Sequence, residues 1–338
     1  MSFSPLVHGG ALRQAALDFD IPLAQWLDLS TGINPRGWPV PTLPAHCWQR
    51  LPEEGDGLEA AAQAYYGCEH LLPVAGSQAA IQSLPWLRRH SRVGLLQPAY
   101  AEHAAAWQRA GHALLALERN GIDTALDGVD VLLLINPNNP TGEGFTREQL
   151  LSWQRRLARR GGWLVVDEAF ADADDSQSLA ADGGTPGLVV LRSLGKFFGL
   201  AGARVGFVLA WPELLMRLRE VLGPWAVCGP GREVARLALE DQRWQLQARK
   251  ELAEASARLA RLLVEHHLPP SGATALFQYC PTERADVIHE AMARQGILLR
   301  RFDAPAALRF GLPGNEGEWE RLERGLVGVR EWGIGNRE

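Results

Sequence analysis

The sequence predicts an α/β protein with a mostly parallel central sheet, followed along the chain by a smaller α+β unit. Three observations carry this. Short apolar runs alternate with helical patterns through the middle of the chain. The spacers between those runs are long enough for crossover helices, which parallel strands require. After Pro230 the texture changes to one long charged helical stretch and three short strand candidates.

Taken in order, residues 1–45 are rich in proline and glycine and too few to build a core. They are expected as an arm packing on the C-terminal unit. A large domain is expected over residues 46–225 and a small one over 226–338. Residues 76–78 precede a helical pattern over 79–88. Residues 93–97, 129–136, 163–167 and 188–193 read as buried strands, each bounded by Gly, Pro or polar residues. Between the second and third, Thr146 with Gln149 forms a capping box that opens a helix ending at Gly161-Gly162. Residues 232–267 carry Ala and Leu at helical spacing and stop at Pro269-Pro270. Strands are expected over 275–280, 296–302 and 307–311, with a helix between the first two. A last helix opens at Asn315, with Glu318 three residues on.

Composition narrows the classes. With 338 residues, 46% hydrophobic and 22% charged, the chain is neither disordered, fibrous nor a coiled coil. A formal charge of −5 supplies no electrostatic reason to bind nucleic acid. Cys47, Cys68, Cys228 and Cys280 form no C-x-x-C pair, so neither a disulfide framework nor a zinc site is expected. The stretch from Met1 to Gly10 lacks a basic region followed by an apolar one, and the run 129–135 is far short of the ~20 residues that span a bilayer. A cytoplasmic protein with no membrane partner is expected. Lys and Arg total 34, and only Lys196 and Lys250 are lysine. That scarcity makes each lysine a question.

Ligands of open parallel sheets bind at the carboxyl ends of the strands, and four such places carry unusual residues. Asn136-Pro137-Asn138-Asn139-Pro140-Thr141-Gly142 is a loop in which two prolines fix the backbone and aim the amides. Asp167 ends an apolar run, where a carboxylate must be paired or hydrogen-bonded. Lys196 lies among glycines and large apolar residues, with Ser193 before it and Arg204 after it. A desolvated lysine has a lowered pKa and is a candidate nucleophile, and arginine offers no primary amine to condense with a carbonyl. Gly76-Ser77-Gln78 opens a helix, whose free N–H groups suit phosphate. Singly, each has a plain structural reading: a turn, an ion pair, a snorkelling surface lysine, a cap. Lys250, between Arg249 and Glu251, fits the surface reading.

Together and in this order, the four places resemble the fold-type-I pyridoxal-phosphate enzymes, the aspartate-aminotransferase-like class I and II aminotransferases. The resemblance covers nearly the whole chain. It implies that Lys196 attaches the cofactor aldehyde, that Asp167 pairs with the ring nitrogen, and that Asn139 bonds the ring oxygen. Tyr100 would stack on the ring, while Gly76, Ser77, Gln78, Ser193 and Arg204 would hold the phosphate. Arg309 matches the arginine that takes the substrate carboxylate. A homodimer with its active site at the subunit interface is implied as well. Phe170, Gly195 and Leu51 depart from the family's usual Tyr, Ser/Thr and Tyr.

The opening His8-Gly9-Gly10, with Asp28-Leu-Ser-Thr-Gly32-Ile-Asn-Pro, resembles the threonine-phosphate decarboxylases of cobalamin biosynthesis. Gly32 stands where those proteins carry Asn. The resemblance implies a small phosphorylated amino acid, O-phospho-L-threonine, as substrate, with His8, Gly9, Gly32, Asn139, Arg300 and Arg309 around it. Two other readings stay open: a histidinol-phosphate aminotransferase-like transamination, and a non-catalytic protein of the same fold.

Overall fold

A computed structural model describes residues 6 and 8–335, with side chains as far as residue 328. Part of the opening stretch read above for a leader signal therefore lies outside the described residues. The chain divides into two compact units. One comprises residues 37–139 and 143–249, the other residues 1–36, 140–142 and 250–338.

The strands in chain order are β1 (Leu27–Asp28), β2 (Leu71–Val74), β3 (Arg92–Leu96), β4 (Ala113–Leu117), β5 (Val131–Ile135), β6 (Trp163–Asp167) and β7 (Leu188–Ser193). They continue with β8 (Gly206–Ala210), β9 (Gly272–Thr274), β10 (Phe277–Pro281), β11 (Ile297–Leu298), β12 (Arg300–Asp303) and β13 (Ala306–Gly311).

The first unit is built on a seven-stranded sheet in the order β2-β8-β7-β6-β5-β3-β4. β4, β3, β5, β6 and β7 run parallel, and β8 is antiparallel to both its neighbours. The central strands are buried on both faces, which is why Val131–Ile135 and Leu188–Ser193 read as continuous apolar runs rather than alternating ones. Val93, Leu133, Val165, Leu191 and Val208 join Ile81, Leu84 and Trp107 in one core. The order places a topological switch point between β3 and β5, because β4 lies outward of β3 on one side and β6 follows β5 on the other. Crevices at such points are where open α/β sheets bind ligands. The capping box is formed: Thr146 Oγ1 accepts from Gln149 N, and Thr146 N donates to Gln149 Oε1, opening the helix Arg147–Ala158.

The second unit holds a four-stranded antiparallel sheet in the order β12-β13-β10-β9 and the short parallel pair β1–β11. That pair joins Leu27 to Ile297 and Asp28 to Leu298, so the start of the chain is hydrogen-bonded to the segment after Gly296. Ala15, Trp26, Ala293 and Leu298 pack around it.

Several sequence expectations change. β2, β4 and β8 add to the four strands read from the central region; β4, Ala-Leu-Leu-Ala-Leu, has no β-branched residue and lies at an exposed edge. The helical stretch 232–267 is two helices, Gly229–Glu240 and Gln242–Glu265. They part at Asp241, whose carboxylate accepts from Trp244 N and from Trp38 Nε1 instead of continuing the helix. The run 296–302 is also two strands, since β11 pairs with β1 while β12 pairs with β13. The compact units change over at residues 36 and 249, where composition suggested 45 and 225. The helix Gly229–Glu240 explains part of this: its Arg232 is bonded to Asp56 and Glu59 of the first unit.

Candidate active site

In the first unit the strand ends bring one group of side chains together. β6 ends at Asp167, which is 4% exposed. A carboxylate so placed needs donors. Asp167 Oδ1 accepts from Ala169 N at 3.0 Å, and Oδ2 lies 2.8 Å from His103 Nε2. Because a carboxylate only accepts, His103 Nε2 carries the proton. His103 is 1% exposed and sits one turn into the helix Ala101–Arg109, three residues after Tyr100. The Tyr100 ring meets the His103 ring edge to face at 6.2 Å, and its hydroxyl donates to Gln78 Oε1 at 3.4 Å. Burial, with the charges of Glu102 and Asp167, pushes the Tyr100 phenol up to about 12, so it is a donor at neutral pH.

Gly76, at φ +70°, makes the left-handed turn into the helix Ser77–Ser83. Gly206 permits the approach of β8 to that turn: a Cβ there would lie 2.6 Å from Ser77 N and 2.7 Å from Arg192 O. Arg204, in the left-handed region at φ +53°, brings Nη2 close over Gly76. Thus Gly76, Ser77, Gln78 and Arg204 converge, joined to Tyr100 and Asp167 through the contacts above.

Ser193 ends β7, and its Oγ accepts from Gly195 N at 3.3 Å. Lys196 follows, half-buried, with Nζ 5.3 Å from the centre of the Phe170 ring. A cation over a ring face is held there by the ring's quadrupole. Asn138 Nδ2 donates to Pro98 O, and the Asn136 amide bonds Phe145 N and O, which holds the loop that carries half-buried Asn139.

Behind Asp167 and Ser193 lies a buried charge cluster. Arg192 donates to Glu168 at 2.7 Å and also to Asp172, while Glu168 further accepts from Leu179 N and Ser178 Oγ. Burial pushes the Glu168 carboxyl up, opposed by Arg192. These residues tie the end of β6 to the end of β7.

A second cluster lies in the other unit. Arg309, 5% exposed on β13, donates to Ser30 O at 2.6 Å. Ser30 Oγ in turn donates to Asp28 and accepts from Gly10 N. Arg300 stands opposite Arg309 in the β12–β13 register. Burial first, and then Arg300, hold the Arg309 guanidinium down to about 9. Two neighbouring guanidiniums, both pushed down by burial, make a place that favours an anion. Gly9 lies against the Ser30 carbonyl, and exposed His8 precedes it. Gly32 is buried at φ +61°.

Sequence reasoning passed over His103, the Glu168–Arg192–Asp172 cluster and the Lys196–Phe170 contact. For His103 a signal existed: it follows Tyr100 by three residues, in the first turn of the helix that Tyr100 caps.

An aminotransferase-type α/β fold carries these strand-end residues. The family described as "Aminotransferase class I and II" matches residues 56–324, and the chain belongs to this family. A threonine-phosphate decarboxylase of Pseudomonas aeruginosa is 56% identical over 326 residues, covering 96% of this chain and 98% of that one. A threonine-phosphate decarboxylase of Sinorhizobium is 38% identical, covering 96% and 98%. The crystal structure of histidinol-phosphate aminotransferase from Sinorhizobium meliloti in complex with pyridoxal-5′-phosphate has a TM-score of 0.83 at 20% identity, covering 97% of this chain and 96% of that one. That last likeness is one of fold. Among the described residues, no helix is long and apolar enough to cross a membrane, and no cluster of His, Cys, Asp and Glu could hold a metal ion.

Proposed function

We propose that this protein is a pyridoxal-phosphate-dependent carboxy-lyase that decarboxylates O-phospho-L-threonine to (R)-1-amino-2-propanol O-2-phosphate on the route to cobalamin. The observation that carries the reading is the 56% identity to a threonine-phosphate decarboxylase across 96% of the chain.

The residues present suit pyridoxal phosphate. One primary amine stands on the loop after β7, a buried carboxylate ends β6, and an aromatic ring lies beside a glycine turn faced by a guanidinium. Lys196 would hold the aldehyde, Asp167 the ring nitrogen, Asn139 the ring oxygen and Tyr100 the ring face. The backbone of Ser77 and Gln78, with Ser193 and Arg204, would take the phosphate. When bound, the cofactor supplies an electron sink for the pair left on Cα as CO₂ departs. His103 keeps the Asp167 carboxylate turned and hydrogen-bonded, so that it can hold a proton on the ring nitrogen. Lys196 Nζ would supply the proton that Cα takes up after CO₂ is lost. Arg309 would orient the substrate carboxylate, and that orientation decides which bond at Cα breaks. Arg300, His8 and the Gly9 backbone would take the substrate phosphate, with arginine binding it in bidentate fashion. Gly32 adds no side chain there. The reading includes a cytoplasmic homodimer with its active site at the subunit interface.

The test is incubation with O-phospho-L-threonine, with and without 2-oxoglutarate, while CO₂ and glutamate are measured. CO₂ release without a keto acid is expected. Glutamate formation in place of CO₂ would make the protein an aminotransferase. A protein that shows no cofactor absorbance band sensitive to Lys196→Ala would be a non-catalytic member of the fold.

A further inference from the structure

We propose that Glu102 is a positioning residue for the ring of Tyr100, acting through the side-chain amide of Gln78. The inference rests on the proposed function only in taking that ring to cover the cofactor.

Glu102 lies in the first turn of the helix Ala101–Arg109, half-buried. Its Oε2 accepts from Gln78 Nε2 at 2.9 Å and from Gln82 Nε2 at 2.9 Å. The two glutamines are four apart on the helix Ser77–Ser83, one turn above the other. At the far end of the chain of bonds, Arg109 Nη2 donates to Gln82 Oε1 at 2.6 Å. At the near end, the Tyr100 hydroxyl donates to Gln78 Oε1.

The direction of every bond in this chain is set by its charged members. A guanidinium only donates and a carboxylate only accepts. Arg109 therefore claims the oxygen of the Gln82 amide, and Glu102 claims its nitrogen. Glu102 likewise claims the nitrogen of the Gln78 amide, which leaves the Gln78 oxygen toward Tyr100. A free amide could turn over and present its nitrogen to the tyrosine hydroxyl. The carboxylate removes that choice. Tyr100, protonated at neutral pH, then finds an acceptor in place.

The ring is held at its other side by the edge-to-face contact with His103, itself bonded to Asp167. Two anchors on one ring define its tilt. Stacking depends on tilt, so the Glu102–Gln78 chain acts on the affinity of the site without touching the ligand.

The experiment uses full-length protein labelled with 3-fluorotyrosine, in cofactor-free and cofactor-loaded forms. The chain has 4 tyrosines, and Tyr100→Phe assigns the resonance. Glu102→Leu, which removes the acceptor of the Gln78 amide, is expected to shift the Tyr100 signal and to speed cofactor release roughly fivefold, the loss of one ordinary hydrogen bond. The reciprocal double variant, E102Q with Q78E, puts the carboxylate on the other partner and again offers Tyr100 an acceptor. It is expected to restore the resonance in the cofactor-free form. Gln78→Leu, which breaks the chain without changing charge, should reproduce the Glu102→Leu shift of the resonance and stands in for it should that variant not fold. An unmoved resonance with wild-type release in these single variants overturns the proposal. So does a folded double variant whose cofactor-free resonance fails to recover. If the wild-type protein takes up no cofactor, the proposed function falls, while the cofactor-free resonances still decide whether Glu102 positions Tyr100.

Discussion

Replacing His103 by phenylalanine removes the nitrogen 2.8 Å from Asp167 Oδ2 and keeps an aromatic ring in its place. Both groups are buried, at 1% and 4% exposure, out of reach of bulk solvent. The Ala169 amide still serves the other carboxylate oxygen. A hydrogen bond to a charged group is worth about 1.5–3 kcal/mol. If Asp167 holds the ring nitrogen of the cofactor, that loss appears in affinity as a rise in Kd of about 10- to 100-fold. The assay is titration of the cofactor-free variant with pyridoxal phosphate, followed by the absorbance of the lysine-bound form. A melt of the cofactor-free protein separates any loss of stability. His103→Gln, whose amide can still donate, should recover part of the affinity. Binding by His103→Phe as tight as wild type, with Asp167→Ala strongly weakened, would refute the claim that His103 orients Asp167.

Three further predictions follow from other parts of the structure. Arg309 is pushed down to about 9 by burial and by Arg300, so the folded chain binds fewer protons than the unfolded one from about pH 9 up to the ordinary guanidinium value. The buried charge is a full penalty below that window, and stability contributed by this group rises as pH climbs through it. Inorganic phosphate should therefore raise Tm near neutral pH, lose that effect above about pH 10, and have less effect on Arg309→Met; an equal shift at both pH values would count against the anion site. Gly206→Ala drives a Cβ against Ser77 N and Arg192 O, both backbone, and should destabilise by about 1–3 kcal/mol in denaturant melts. Arg192→Met strands Glu168 and Asp172 in the core and should cost about 3–5 kcal/mol, much of it recovered by adding Glu168→Gln and Asp172→Asn; a single variant as stable as wild type would show that the cluster carries no such charge balance.

The residues that were legible in the sequence share a property: their meaning is local. Continuous apolar runs mark β5, β6 and β7 because strands buried on both faces cannot alternate. Thr146 and Gln149 cap a helix through neighbours three apart. Lys196 was conspicuous because no solvated face surrounds it. β4 escaped notice because an edge strand needs neither burial nor β-branched residues, and its place comes from β3 alone. The helical stretch after residue 232 looked unbroken because Asp241 fits a helix by composition. Instead its carboxylate caps the next helix through Trp244 N, three residues on, and is held by an indole 203 positions away in sequence.

The sequence by itself determined the fold class, the order of the strand-end residues and the one lysine fit for covalent chemistry. These follow from periodicity and from the chemical type of each side chain. Only the tertiary structure decided that His103 holds Asp167, that Glu168 and Asp172 share Arg192, that Arg300 stands beside Arg309 and that Glu102 sets the Gln78 amide. Each of these is a pairing of charged or polar groups far apart along the chain. Burial makes such pairings necessary, but burial states only that a partner must exist. Which partner it is depends on strand order and register, and those emerge when the sheets are assembled.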